Sequence, residues 1–259
     1  MITSEHSISA FFPAYNDAAT IGEIVRATAR LLPTLTADYE IVVVNDGSRD
    51  RTGTLLHELA TEVPFLKVID HGINRGYGAA LITGFSNCSK ELIFYTDGDG
   101  QYDVNELPSL LAVFSDRVDM VNGYKISRSD PRHRIVIGRI YQYLMKFMFH
   151  LSIRDVDCDF RLFRRSLLAK APLACESGVI CVEMIKKFES RGCRIAEVPV
   201  HHYPRSHGSS EFFTFKHLRR ILGQLFVVWC KLAVAPMFSR RSRMPDLEMK
   251  ARKSGADLE

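Results

Sequence analysis

Short runs of consecutive apolar residues alternate along this chain with stretches in which apolar residues recur every three or four positions. Ser7 to Phe12 is predicted as a short strand, followed by the turn residues Asn16 and Asp17 and an amphipathic helix from about Thr20 to Leu32. The segment EIVVVND, Glu40 to Asp46, is β-branched without alternation, as expected of a strand covered on both faces. Asp46-Gly47-Ser48 ends it, and Asp50 or Thr52 caps a helix through LLHELA. Leu66 to Asp70 (strand), Gly78 to Ser86 (helix) and Leu92 to Thr96 (strand) continue the order. The prediction is an α/β fold with a mostly parallel central sheet and helices on both faces.

In such sheets ligands bind outside the carboxyl ends of the strands. That rim collects PAYND, NDGS and TDGDGQYD, which bring Tyr15, Asp17, Asp46, Asp97 and Asp99 together. So many carboxylates repel one another unless a cation or hydrogen-bond donors offset the charge. Asp97-Gly98-Asp99, a DXD motif followed by Gln101, is a set of hard oxygen ligands suited to Mg²⁺ or Mn²⁺ that in turn holds a diphosphate. Alone, an Asp-Gly-Asp reads as a polar turn; its place after a buried strand, beside two other acidic loops, favours a site. Gly98, lacking a Cβ, suits close backbone approach to a ligand.

Four segments then carry a resemblance: PAYND (Pro13 to Asp17), VVNDGSRDRT (Val43 to Thr52), NRGYGAAL (Asn74 to Leu81) and TDGDGQYD (Thr96 to Asp103). Together they resemble family 2 glycosyltransferases of the GT-A fold, in particular the dolichyl- and polyprenyl-phosphate sugar transferases, over residues 8 to 212. The resemblance implies that Pro13, Tyr15 and Asp17 contact the nucleotide of a UDP- or GDP-sugar, and that Asp46 binds the base. It further implies that Asp97 and Asp99, with Gln101 nearby, bind the metal and the diphosphate, and that transfer inverts the sugar. Lys125 stands where these enzymes have an arginine that contacts the donor; it keeps the charge but loses the bidentate fork. Arg205 matches a later diphosphate-closing arginine, whereas Glu211 stands where a lysine is usual.

The second half fits phosphate handling. Val121 to Arg139 supplies Lys125, Arg128, Arg132, Arg134 and Arg139, a set that reads either as phosphate-binding or as a solvated basic surface. The segment DVDCDFRLFRR, Asp155 to Arg165, falls where the resembled enzymes carry an acceptor site. Asp157, Asp159 and Arg161 are its candidates, with Arg128, Arg134 and Arg161 expected on an acceptor phosphate; a turn and helix cap is the other reading. No QxxRW motif of hydroxyl-directed processive synthases occurs, which favours an anionic polyprenyl phosphate acceptor needing no general base. For a hydroxyl acceptor, Asp159 is the first base to test. Glu183, an acid in the apolar helical pattern VICVEMIKKF, receives no role.

Composition sets the remaining limits. The 259 residues are 46% hydrophobic and 25% charged, enough for one large domain, and the net charge of +4 is too mild for a dedicated nucleic-acid binder. The six cysteines form no CxxC pair, and with no secretory signal in view the thiols are expected reduced and the protein cytoplasmic. Ile140 to Leu151 and Phe212 to Phe238 are apolar with basic flanks. They suit peripheral association with a membrane surface or a membrane-protein subunit, or packing on the sheet or a partner. Expected boundaries are residues 1–210 for the GT-A domain, 211–238 for an interfacial or packing helix, and 239–259 for a disordered tail. Many of the resembled enzymes carry spanning helices after the catalytic domain, and none is expected here. Competing readings are transfer to a saccharide or lipid hydroxyl, or a non-catalytic nucleotide-sugar-binding subunit.

Overall fold

The computed structural model describes residues 4–128, 132–205 and 223–234. Seven strands form one sheet in the order β3-β2-β1-β4-β6-β5-β7. The first four are β1 (Ile8–Ala14), β2 (Tyr39–Asn45), β3 (Leu66–Asp70) and β4 (Leu92–Thr96). They run parallel and are joined by α1 (Ile21–Leu35), α2 (Thr52–Glu62) and α3 (Tyr77–Asn87). The expected elements of the first half are therefore present, most with ends displaced by one to three residues. The second half holds α4 (Leu107–Val113), β5 (Met120–Arg128), α5 (Arg132–Phe149), β6 (Phe160–Arg164), α6 (Ser166–Lys170), α7 (Ile180–Ser190) and β7 (Ile195–His202).

Alternation within the strands explains why both faces must be covered. Ile8, Ala10, Phe12, Ile41, Val43, Leu92 and Phe94 point into one core with α1, α2 and α4. Phe11, Val42, Val44, Ile93 and Tyr95 point into the other with α3, α5, α6 and α7. In α1, Ile21, Ile24, Val25, Thr28, Leu32 and Leu35 are the buried positions, one stripe at helical spacing. The chain crosses from edge strand β3 back past β2 and β1 to β4, so strand order reverses between β1 and β4. That reversal opens a crevice at their carboxyl ends.

One element departs from the expected order. Residues read as a turn and helix start form β6, which pairs antiparallel with both β4 and β5 and so delivers its N-terminal loop to the same rim. Of the expected 211–238 helix, 223–234 is described: it is helical, with Leu225 and Val228 buried against the second core and Phe226 and Val227 exposed. Glu211 and the 239–259 tail lie outside the described residues. Cysteines 88, 158, 175, 181, 193 and 230 are all free thiols.

Gly78, at the start of α3, is a point of close approach. A Cβ there would lie 2.3 Å from the Cys175 carbonyl oxygen and 2.5 Å from the Glu176 carbonyl carbon, both backbone atoms that cannot rotate away. Gly78→Ala is expected to cost about 2–3 kcal/mol, read from the urea midpoint; an unchanged midpoint would show that this loop yields freely.

Candidate active site

Side-chain bonds lace the loops at the β1–β4 crevice together. Asn16 adopts a left-handed φ of 56°, its side-chain oxygen accepts from the Arg49 N–H at 2.8 Å, and its own N–H donates to Ser48 Oγ at 3.0 Å. The Ala18 N–H donates to Asp50 Oδ2 at 3.2 Å, so the loops after β1 and β2 hold one another. Pro13 is buried within β1, and its carbonyl accepts from the Gly98 N–H at 3.2 Å. A Cβ on Gly98 would lie 2.8 Å from that oxygen, so the glycine serves contact between the β1 and β4 loops.

Asp46 is 3% exposed. Its carboxylate accepts from the N–H groups of Arg75 and Gly76, both at 2.9 Å, and meets His71 Nδ1 at 2.6 Å. His71 Nε2 in turn meets Thr83 Oγ1 on α3 at 3.0 Å. The side chain expected to face the base is thus turned inward, where it fixes the glycine-rich loop after β3.

The two aspartates of the DXD motif have separate partners. Asp97 Oδ1 accepts from the Tyr77 hydroxyl at 2.7 Å, and burial, then the charges of Asp159 and Asp99, holds its pKa well above the usual carboxylate range. Asp99 Oδ1 accepts from the Gln101 N–H at 3.0 Å, and its Oδ2 accepts from Arg205 Nη2 at 2.5 Å. Asp17, whose Oδ2 accepts from the Tyr15 N–H at 2.9 Å, is pushed up to about 6, by burial first and by Asp99 among the charges. Tyr15 itself is half-buried on the same loop. The Gln101 side chain donates to the Tyr203 carbonyl at 3.1 Å, tying the DXD loop to the segment after β7.

Negative charge therefore accumulates where one guanidinium, that of Arg205, already sits on a carboxylate. A hard divalent cation fits this donor set. Among the described residues no three His, Cys, Asp or Glu side chains enclose a metal by themselves.

Behind the crevice lies a buried cation. Arg161 is wholly buried in β6 and donates to Asn122 Oδ1 at 2.8 Å, the Tyr95 hydroxyl at 2.7 Å and the Val156 carbonyl at 2.5 Å. Expected on an acceptor phosphate, it has no accessible surface to offer one. Its charge reaches the crevice through Asp159, whose Oδ1 lies 3.6 Å from Arg161 Nη1 and accepts from the Tyr95 hydroxyl at 2.8 Å and from Cys181 Sγ at 3.2 Å. Lys125, expected on the donor, instead donates to the Asp157 carbonyl at 2.6 Å and pairs with Asp155 at 3.7 Å. The side chains of Arg128 and Arg134 lie outside the described residues.

Three features escaped the sequence reading. His71 lies in no motif, and Tyr77 lies within NRGYGAAL, a segment whose letters do not single it out as the partner of Asp97. Glu183 had only its odd placement in an apolar helix as a signal; it is buried, accepts from the N–H groups of Ala174 and Cys175 and pairs with Lys187 at 2.7 Å. It thereby holds the loop against which Gly78 packs.

Comparison with known proteins agrees with this architecture. The model of the family described as "Glycosyl transferase family 2" matches residues 9–171. Among solved structures, glucosyl-3-phosphoglycerate synthase from Mycobacterium tuberculosis, in complex with Mn²⁺, UDP and glucosyl-3-phosphoglycerate, is similar with a TM-score of 0.64 at 17% identity. That match covers 88% of this chain and 80% of the synthase; the same enzyme with Mn²⁺, UDP and phosphoglyceric acid gives 0.65 at 18%, over 88% and 78%. The fold is that of the GT-A glycosyltransferases. The chain belongs to glycosyl transferase family 2.

Among curated relatives, undecaprenyl-phosphate 4-deoxy-4-formamido-L-arabinose transferase of Pseudomonas fluorescens (strain Pf0-1) is 32% identical over 211 residues, covering 80% of this chain and 60% of that protein. The enzyme of the same name from Enterobacter sp. (strain 638) is 30% identical over 209 residues, covering 80% and 63%. The chain thus spans roughly three fifths of the length of these relatives.

Asp157, in the loop before β6, makes a pH prediction. Burial first, opposed by Lys125, raises its pKa from 3.8 to about 7. A pKa raised on folding favours the native state below about 4 and loses that contribution as pH rises through 7. Asp157→Asn is expected to improve stability at pH 8 relative to pH 5, compared with wild type, in urea titrations at both values. An identical pH 5 to pH 8 difference in the two proteins would contradict the raised pKa.

Proposed function

We propose that the chain transfers a sugar from a nucleoside diphosphate donor, a UDP- or GDP-sugar, to a polyprenyl phosphate, with inversion, at the cytoplasmic face of a membrane. The observation that carries the reading is the pairing of Asp97 and Asp99 at the β1–β4 crevice, with the Arg205 guanidinium on Asp99. The names of the relatives, undecaprenyl-phosphate sugar transferases, support the acceptor.

In this reading Pro13, Tyr15 and Asp17 border the nucleotide, and Asp46 shapes the base end by holding the Arg75–Gly76 backbone. Asp97 and Asp99, with Gln101 beside them, would hold Mg²⁺ or Mn²⁺. When bound, the ion neutralises diphosphate charge as it develops on the leaving group. Arg205, on a long flexible stem, would exchange Asp99 for diphosphate oxygens. An acceptor phosphate oxygen bonds to the anomeric carbon as the bond from that carbon to the diphosphate oxygen breaks, and its electron pair leaves with the nucleoside diphosphate. The phosphate is already anionic and needs no base, so Asp159 is free to act as a fixed negative group oriented by Tyr95 and backed by Arg161. Arg128 and Arg134 are assigned to the acceptor phosphate on sequence grounds, and Lys125 to holding the acceptor-side loop.

A lipid acceptor calls for contact with a bilayer surface. Ile140, Tyr143, Leu144 and Phe147 of α5 share one helical face and are 46–82% exposed, and Trp229 of the neighbouring 223–234 helix donates to the Met148 carbonyl at 2.9 Å. Phe226 and Val227 add to this exposed apolar surface. Among the described residues no helix is long and apolar enough to cross a membrane, and the exposed face suits peripheral attachment.

The test is transfer of radiolabelled sugar into an organic-extractable product with Mn²⁺ and added polyprenyl phosphate. Wild type is expected to label the organic phase, and Asp99→Ala to lower the rate by about 100-fold or more. Label confined to the aqueous phase would refute the lipid acceptor; equally low turnover in both proteins would favour a binding-only subunit.

A further inference from the structure

Resting on the reading of Asp97 as a metal and diphosphate ligand, we propose that Tyr77 is a positioning residue that fixes the orientation of the Asp97 carboxylate. The phenol donates to Asp97 Oδ1 at 2.7 Å from the first residue of α3, and the contact is half-buried. Rotation about the last bond of an aspartate side chain is soft, so an unsupported carboxylate samples many orientations. A single strong donor on one oxygen removes most of that freedom and leaves the other oxygen for a ligand.

The backbone around Tyr77 is held on both sides, which makes the phenol a firm donor. Upstream, the Gly76 N–H is bonded to Asp46 Oδ2 at 2.9 Å. Downstream, the Gly78 N–H donates to the Glu176 carbonyl at 3.1 Å, in a loop whose Ala174 and Cys175 N–H groups are anchored on Glu183 at 3.1 and 2.8 Å. The base-end carboxylate Asp46 and the diphosphate-end carboxylate Asp97 are therefore joined through two consecutive residues, Gly76 and Tyr77.

The chemistry of the donor also suits the task. A lysine or arginine at this position would bring a full positive charge against Asp97 and oppose a divalent cation. A phenol hydroxyl orients the carboxylate while leaving its negative charge in place.

Mn²⁺ binding in the presence of UDP, followed by the electron paramagnetic resonance signal of free Mn²⁺, tests this on wild type, Tyr77→Phe, Asp97→Asn and the double variant. Phenylalanine keeps the ring, and thermal unfolding of each variant reports on the fold. Tyr77→Phe is expected to weaken Mn²⁺ binding about tenfold with little change in Tm, and to have no further effect in the Asp97→Asn background. Unchanged Mn²⁺ affinity in Tyr77→Phe, or an equal loss with and without Asp97, would overturn the positioning role. A wild-type protein that takes up no Mn²⁺ with UDP would instead overturn the metal reading, and this inference with it.

Discussion

Four acidic side chains held at the mouth of a parallel sheet, Asp17, Asp97, Asp99 and Asp159, set the terms for the rest of the molecule. Burial, and after it the charge of neighbouring carboxylates, raises the pKa values of Asp17 and Asp97. A fold that keeps them there must supply positive charge or donors, and this one does so at three depths. Arg205 bonds Asp99 at the rim, Tyr77 bonds Asp97 within the crevice, and Arg161 backs Asp159 from inside the sheet. The remaining charge is the physical basis of the proposal that a divalent cation and an anionic diphosphate bind together at this place.

Arg161 shows how the core and the site are one structure. A buried guanidinium is costly unless every donor finds a partner, and here Asn122, Tyr95 and Val156 accept from it while Asp159 lies close enough to pair. β6 runs antiparallel between β4 and β5, in a register that places Arg161 opposite Tyr95 and Asn122. The same strand delivers Asp159 to the crevice from its N-terminal end. Removing one partner from this group would leave a charge stranded in the sheet, so stability and site geometry are linked there.

The parallel half of the fold was legible because its strands are uninterrupted apolar runs and its helices show one apolar stripe each. EIVVVND and LIFYT can be little else once turn residues bound them. β6 was not legible, since FRLFR carries two arginines, and a buried arginine gives the same letter as an exposed one. For the same reason Arg161 read as a phosphate contact. Asp46, Gly98 and Lys125 were visible as members of motifs, but what they touch depends on loops distant in sequence: His71, Arg75 and Gly76 for Asp46, Pro13 for Gly98 and Asp155 and Asp157 for Lys125. The convergence of PAYND, NDGS and TDGDGQYD followed from strand order alone, and the β1–β4 and β1–β2 pairings place those loops side by side.

The central claim is that the crevice binds a diphosphate through a divalent ion gripped by Asp97 and Asp99. Calorimetric titration of UDP into the protein, once with Mn²⁺ and once with EDTA, tests it most directly. The account predicts that UDP binds at least about tenfold more tightly with Mn²⁺ and that this advantage disappears in Asp99→Asn. Equal UDP affinity with Mn²⁺ and with EDTA would contradict it.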